Sequence, residues 1–337
     1  MKDKSRVYLY NKRIVLMALL LFFLINILGC KSNGVTSGKI ISSEDDIRVV
    51  NIADQFGLAY APIEILKQTT LLEDAFAAQG LENVTVNWQR MGNTAAIREA
   101  MVAGDLDIGF VAIPPFLIGK EHGMDWQVIS GISESPVGLV ASTKIKSLAK
   151  LPDDALIILP QLGSVQHILL TMVAKREEGD AHFYDDRIVA MAHPDGMMTF
   201  LGQPEQMLHF TTPPYLEQEL TDADSHILLD GKTAFGGDFT FIVGVCPERF
   251  HLDTRAYKAF KSALEEATDF MKAHPEEAFA ILKEAYDYDE DTLFKMLYQE
   301  ALVYSTELKG LDQFQKHMHE MGLISQAWEH SELVWEE

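Results

Sequence analysis

Apolar residues change period repeatedly along this chain. Short unbroken apolar runs alternate with stretches in which apolar positions recur every three or four residues. That is the pattern of strands alternating with helices, and so of an α/β fold with mainly parallel strands. The runs predict strands at 47–53, 84–88, 108–113, 128–130 and 137–142, then a further series at 155–160, 187–191, 209–212, 226–229 and 240–245. The helical period is clearest after Ser164, where Val165, Ile168, Leu169 and Met172 fall at i, i+3, i+4 and i+7. Local signals agree with it. Pro62 stands near the start of a helix carrying Ile63 and Leu66, Thr94 fits an N-cap, and Gly104 fits the end of the helix that Thr94 opens. From Asp253 onward the period is helical throughout, with helices expected at 255–272, 275–286, 289–304 and 311–328.

The strand-turn-helix order thus occurs twice, which predicts two lobes. Residues 47–138 and 243–337 form lobe 1 with the C-terminal helices, and 139–242 form lobe 2, so the chain crosses between lobes twice. A chain of 337 residues is longer than the size at which single cores stop growing. Stability must come from that burial, because the chain has two cysteines and one of them, Cys30, has another use.

The N-terminal segment follows different rules. Lys2, Lys4, Arg6, Lys12 and Arg13 precede an unbroken apolar run from Ile14 to Ile25, followed by Ile27-Leu28-Gly29-Cys30. The run is shorter than the ~20 residues a bilayer-spanning helix needs and suits the core of an export signal. An uncleaved membrane helix is the alternative, but Asn26 and Gly29 interrupt the run too early for it. The tripeptide before Cys30 resembles the bacterial lipobox, which implies cleavage before Cys30, acylation of its thiol with palmitate-type chains, and a stable anchor. The expected arrangement is a signal peptide at 1–29, a flexible Ser-, Gly- and Lys-containing tether at 30–46, and a folded body on the extracytoplasmic side of a bacterial membrane.

Charge narrows the partners. The whole chain carries 28 basic and 50 acidic residues, a net −22. Residues 1–29 hold five of the basic and one of the acidic residues, so the mature protein would stand at −26. Nucleic acid, whose phosphates need a basic footprint, is excluded as a partner, and so is adsorption to anionic lipid other than through the anchor.

In open α/β sheets ligands sit beyond the carboxyl ends of the strands. Those positions hold Gln55, Phe56, Gly57 and Tyr60 after the first strand, Asn93 and Thr94 after the second, and Pro114 and Phe116 after the third. Ser133 and Glu134, then Ser164, Gln166 and His167, then Tyr215, and last Asp238 and Phe239 complete the set. It is aromatic, glycine-rich and polar, with hardly a basic side chain.

Three segments carry a resemblance. Asn51-Ile52-Ala53 leading to Ala61-Pro62-Ile63, the run from Ala100 through Gly104-Asp105-Leu106-Asp107 to Gly109, and Gly163-Ser164 opening a helix are similar to the binding proteins of nitrate/sulfonate/taurine-type ABC importers. That family also includes thiamine-precursor-binding members. The resemblance covers 47–282 and implies a type II periplasmic-binding-protein fold, two α/β lobes with two crossovers closing on a small molecule. It further implies an ABC permease and ATPase as partners, a monomer, and no cofactor. The chain departs from the family at Gly202-Gln203-Pro204-Glu205-Gln206-Met207, where a Gly-x-x-Asp-Ala element is usual.

The residues admit more than one role. Ser164 either caps its helix or contacts ligand; Phe56, Tyr60 and Phe239 either stack on a planar ligand or pack between lobes; His167 faces either cleft or solvent. Asp105 and Asp107 read as turn and strand-start residues. An enzyme related to thiamine-pyrimidine synthesis is a rival reading, but the chain lacks the cysteine cluster, and Cys246 beside Pro247 reads as a small buried hydrophobe. A metal-binding lipoprotein is a second rival, prompted by His317-Met318-His319, whose imidazoles point apart on a helix. Within the binding-protein reading, Asp238 and Glu134 beside Phe56, Tyr60 and Phe239 favour an aminopyrimidine-like heterocycle over a sulfonate or taurine-like compound.

Overall fold

The computed structural model describes residues 48–299 and 302–335, which belong to one compact unit. The expected signal peptide, Cys30 and the tether lie outside the described residues. Among the described residues no helix is long and apolar enough to cross a membrane.

Eleven strands are described in chain order: β1 (Arg48–Asp54), β2 (Val84–Arg90), β3 (Ile108–Ala112), β4 (Trp126–Glu134), β5 (Gly138–Ser142), β6 (Leu156–Leu159), β7 (Ile188–Ala190), β8 (Met207–Thr211), β9 (Ser225–Asp230), β10 (Ile242–Pro247) and β11 (Val303–Tyr304). They form a six-stranded sheet in the order β11-β4-β10-β3-β1-β2 and a five-stranded sheet in the order β7-β6-β8-β5-β9. β1 runs parallel to β2 and β3, while β10 returns antiparallel between β3 and β4. In the second sheet β6 is parallel to β7 and β8, and β5 is antiparallel to β8 and β9. The chain passes from one sheet to the other after Glu134 and returns between Asp230 and Ile242.

The all-apolar strands are those covered on both faces. β3, β5 and β10 are buried along their whole length, whereas β2, at the edge of its sheet, alternates with exposed positions. The 20-residue helix Thr254–Ala273 lays its buried stripe, including Ala256, Phe260, Ala263, Leu264 and Ala267, on the first sheet's helical layer. Asp253 caps this helix by accepting from the Ala256 N–H, and pairs with Arg48 at the start of β1. One apolar cluster runs through both sheets, from Phe110 and Trp126 to Leu139, Ile157 and Phe210.

Several expectations change. Asn93, not Thr94, is the N-cap of the helix Thr94–Ala103, accepting from the Ala96 N–H, and Gly104 ends that helix in the left-handed conformation as expected. Ile113 through Phe116 open a helix, Ile113–Glu121, in place of the expected loop; prolines are tolerated in the first turn because its N–H groups have no intrahelical acceptor. A helix His193–Gly202, again with proline in its first turn, fills a stretch with no expected element. The C-terminal segment is not wholly helical. The helix Glu290–Tyr298 gives way to β11, whose partners Ser133 and Glu134 are distant in sequence, and the last long helix ends at Glu320.

Candidate functional site

The strand ends meet at the crossovers. Ala112 of β3 and Ser133 of β4 both oppose Ile242, and across the crossover Gly138 opposes Thr211 of β8 and Asp230 of β9. The carboxyl ends of β3 and β4 in one sheet, and of β8 in the other, therefore approach the same two connecting segments. Loops and helix starts that follow these strands supply the candidate site.

On the first lobe, the Gln55 amide donates to Thr94 Oγ1 at 3.2 Å and to the Phe110 carbonyl at 3.0 Å, tying the loop after β1 to the helix after β2. Asn93 is spent on its cap, and Pro114 is buried in its helix start. Beneath this loop is a charged group that the sequence did not reveal. Asp54 is fully buried; its Oδ2 accepts from Lys67 at 2.6 Å and from Arg90 at 2.9 Å, and Glu64 pairs with both of those cations. Asp54 Oδ1 is buried with no hydrogen-bond partner. Arg90 also lies over the ring of Phe56, 5.5 Å from its centroid, and Phe56 is 68% exposed. Phe56 thus shields a cation. Tyr60 is buried, and burial with the nearby Asp54 charge pushes its hydroxyl well above the usual range. Tyr286 and Tyr304 reach back from the C-terminal segment to the Gly57 and Leu58 carbonyls at 3.5 and 3.0 Å, fixing the same loop.

The crossovers are laced by the segment that follows β11. Lys309 Nζ pairs with Glu134 at 2.6 Å, its backbone N–H is accepted by Thr240 Oγ1 at 2.9 Å, and Thr240 in turn donates its hydroxyl to the Glu307 carbonyl. Hydrogen bonding to Glu134 raises the Lys309 pKa. Ser133 is buried with its hydroxyl unpartnered, and Ser135 donates to the Pro136 carbonyl. Asp238, half-exposed, pairs with Lys232 at 2.7 Å. Phe239 is buried against Phe235 and Phe314, with centroids 4.9 and 5.4 Å away. Glu134 and Asp238, expected beside stacking rings as partners for a ligand N–H, are both ion-paired, and Phe239 packs the second crossover. The near absence of basic groups is corrected too, since Arg90, Lys232 and Lys309 arrive from positions outside the loops that were read.

On the second lobe, Ser164 caps the helix Val165–Glu178 by accepting from the His167 N–H at 3.2 Å. His167 is buried and faces neither cleft nor open solvent: the Gly163 N–H donates to its Nδ1 at 3.0 Å, so a neutral ring carries its proton on Nε2, directed toward Asp185 at 3.7 Å. Gly163, with φ near +79°, brings this loop against Ile118 of the first lobe. Gln166, 2% exposed in the first helical turn, sits at the end of a polar chain that the sequence gave no sign of. Its Nε2 is 3.4 Å from His193 Nε2, His193 Nδ1 is 3.2 Å from both His209 Nε2 and Thr211 Oγ1, and His209 Nδ1 is 2.5 Å from Glu219 Oε1. Tyr215 stacks on His193, centroids 5.7 Å apart. Burial holds both imidazoles down, to about 3, and pushes the Glu219 carboxyl up to about 8.

Asp107 accepts from the Asn51 N–H at 2.9 Å, the structural use read for it. Cys246 is fully buried, and burial pushes its thiol up. His317 is not on a solvated face; its Nε2 lies 3.1 Å from Thr171 Oγ1, joining the helix Leu311–Glu320 to Val165–Glu178.

Comparison with known proteins places the fold. No protein-family model matches the chain, and no curated protein sequence matches it. Among solved structures, the alkanesulfonate-binding protein SsuA from Xanthomonas axonopodis pv. citri bound to MOPS is similar with a TM-score of 0.68, 16% identity, and coverage of 85% of this chain and 98% of that one. The periplasmic aliphatic sulphonate binding protein SsuA from Escherichia coli gives a TM-score of 0.68 at 17% identity, over 86% of this chain and 97% of that one. A Candida albicans protein, the CA3427 gene product, described as having the generic periplasmic binding protein structural fold, gives 0.65 at 9% identity, over 85% and 95%. The two α/β lobes and their paired crossovers are those of the periplasmic-binding-protein fold.

Proposed function

We propose that this chain is an extracytoplasmic solute-binding protein that captures a small molecule between its lobes and delivers it to an ABC permease and ATPase. The observation that carries the reading is the arrangement at the crossovers. Two sheets turn their carboxyl edges toward the same connecting segments, with helix starts at Thr94 and Val165 beside them, in a fold shared with two sulfonate-binding proteins. The proposal includes Cys30 as the lipid-bearing first residue of the mature chain, a monomeric body, and no catalytic step.

For the ligand, the ion pairs favour a small sulfonate-type anion over an aminopyrimidine. A cationic or N–H-rich heterocycle needs free carboxylates and open ring faces, whereas Glu134 and Asp238 are neutralised by Lys309 and Lys232, Tyr60 and Phe239 are buried, and the exposed Phe56 already has the Arg90 cation over its ring. An anion needs backbone N–H groups at a helix start, and Val165–Glu178 offers them beside Ser164 and Gln166. Calorimetric titration with ethanesulfonate, taurine, nitrate and an aminopyrimidine tests this. Binding of ethanesulfonate with a fall in radius of gyration by X-ray scattering is the expected result, and exclusive binding of the aminopyrimidine would overturn the ligand assignment. Turnover of any of these by the pure protein would make it an enzyme. Labelled palmitate should enter wild type and not Cys30→Ser.

A further inference from the structure

The chain Gln166–His193–His209–Glu219 runs from the first turn of the candidate binding helix to a carboxyl that is fully buried in the second lobe. Its members are linked nitrogen to nitrogen and nitrogen to oxygen, with no water-sized gap between them. A neutral imidazole donates from one ring nitrogen and accepts at the other. Two such rings in series therefore transmit a hydrogen-bond sense from one end of the chain to the other.

With Glu219 ionised, His209 donates from Nδ1 to it and accepts at Nε2 from His193 Nδ1, and His193 Nε2 accepts from the Gln166 amide nitrogen. Gln166 then turns its carbonyl oxygen away from the chain. With Glu219 protonated every bond reverses: Glu219 donates to His209 Nδ1, His209 Nε2–H donates to His193 Nδ1, and His193 Nε2–H requires the Gln166 carbonyl. The amide N–H₂ then faces outward. Thr211 Oγ1, which can donate or accept, accommodates either sense at His193 Nδ1.

We propose that Glu219 is a positioning residue that sets, through His209 and His193, whether Gln166 offers an acceptor or a donor to the bound solute. This deepens the solute-binding reading and rests on it for the role of Gln166. A protonated Glu219 gives a donor at the helix start and suits a ligand oxygen such as that of a sulfonate; an ionised Glu219 gives an acceptor and suits an ammonium or amide N–H.

The surroundings allow one proton to control the chain. Burial keeps both imidazoles neutral and raises Glu219 into the neutral range, so its protonated form is populated below about pH 8. On the elements packed around it, β5 and β6 carry no titratable side chain, and β8 carries His209 alone. The helix His193–Gly202 adds Asp195, which is exposed. Tyr215 stacks on His193 and stays neutral, its hydroxyl raised by burial and by Tyr288, and Glu217 is on the Glu219 helix itself. His167, on the helix that carries Gln166, is engaged by the Gly163 N–H and Asp185, and the ionisable groups from Lys175 to Glu178 lie at that helix's far end.

The test needs no ligand. In protein with ¹⁵N-labelled histidine, long-range ¹H–¹⁵N spectra report which nitrogen of each ring is protonated. Between pH 6 and 9.5, His193 and His209 should remain neutral and exchange Nε2–H for Nδ1–H together, with one midpoint, and Glu219→Gln should abolish that transition. One fixed tautomer in wild type over the whole range would overturn the proposal without recourse to the variant, as would a transition that survives in Glu219→Gln. A companion titration with ethanesulfonate should show affinity falling at least several-fold as pH rises through the same midpoint. If ethanesulfonate and the other solutes fail to bind while the tautomers still invert, the solute-binding reading fails and the relay stands.

Discussion

His193, His209 and Glu219 give the folded state opposite pH sensitivities. The two imidazoles have folded-state values near 3 against 6.5 for ordinary histidine, so below about pH 6.5 the unfolded chain binds protons that the folded chain refuses. Their contribution is complete above pH 6.5 and lost as pH falls toward 3. Glu219 acts the other way. Its carboxyl rises from 4.5 to about 8, so the unfolded chain ionises first, and stability falls as pH climbs from 4.5 to 8. Glu219→Gln should therefore raise the melting temperature relative to wild type more at pH 8.5 than at pH 5; an equal effect at both would show that Glu219 is not buried as a neutral acid. Asp54 accepts from two cations while fully enclosed. Asp54→Asn should cost on the order of 3 kcal/mol in denaturant unfolding, as is usual when one partner of a buried ion pair is removed. A loss below about 1 kcal/mol would mean that Glu64 alone neutralises Lys67 and Arg90.

Elements owe their positions to close backbone approaches as much as to apolar faces. In β4, a Cβ on Gly131 would lie 2.1 Å from the Glu307 carbonyl oxygen, and the Gly131 N–H donates to the Thr306 carbonyl at 3.1 Å. Gly131→Ala must displace the segment that laces the crossovers, with an expected loss of about 1 to 3 kcal/mol. The same variant should weaken solute binding if that segment holds the crossovers in place, and calorimetry on the folded variant separates the two effects. At Val165–Glu178 the N-cap is a single hydroxyl. Ser164→Ala should cost about 1 kcal/mol by the usual scale for caps. A Ser164→Ala loss of ethanesulfonate affinity beyond that of the cap would show that the hydroxyl also meets the ligand.

At the scale of the whole molecule, the two sheets are joined by two connections, and the Glu134–Lys309 pair with Thr240 beside it braces both of them where they meet the first sheet. Lys309→Met leaves Glu134, largely buried, without its cation. Destabilisation and a larger radius of gyration in the unliganded protein are the expected results; an unchanged scattering profile would show that the pair plays no part in holding the lobes. Much of this layout was legible in the chain. Alternating apolar runs and helical periods determined the α/β class, the strand positions to within a few residues, and the capped helix after Gly163, because each depends on neighbours within one or two turns. Helices opened by Pro114 and Pro194 were missed, since proline reads as a break unless its place in the first turn is known. The charged group around Asp54, the His193–His209–Glu219 relay, the strand β11 and the neutralisation of Glu134 and Asp238 were decided only by tertiary structure. Their partners are brought together by sheet order and chain return, and local sequence carries no record of which distant side chain will arrive to complete a buried charge or a hydrogen bond.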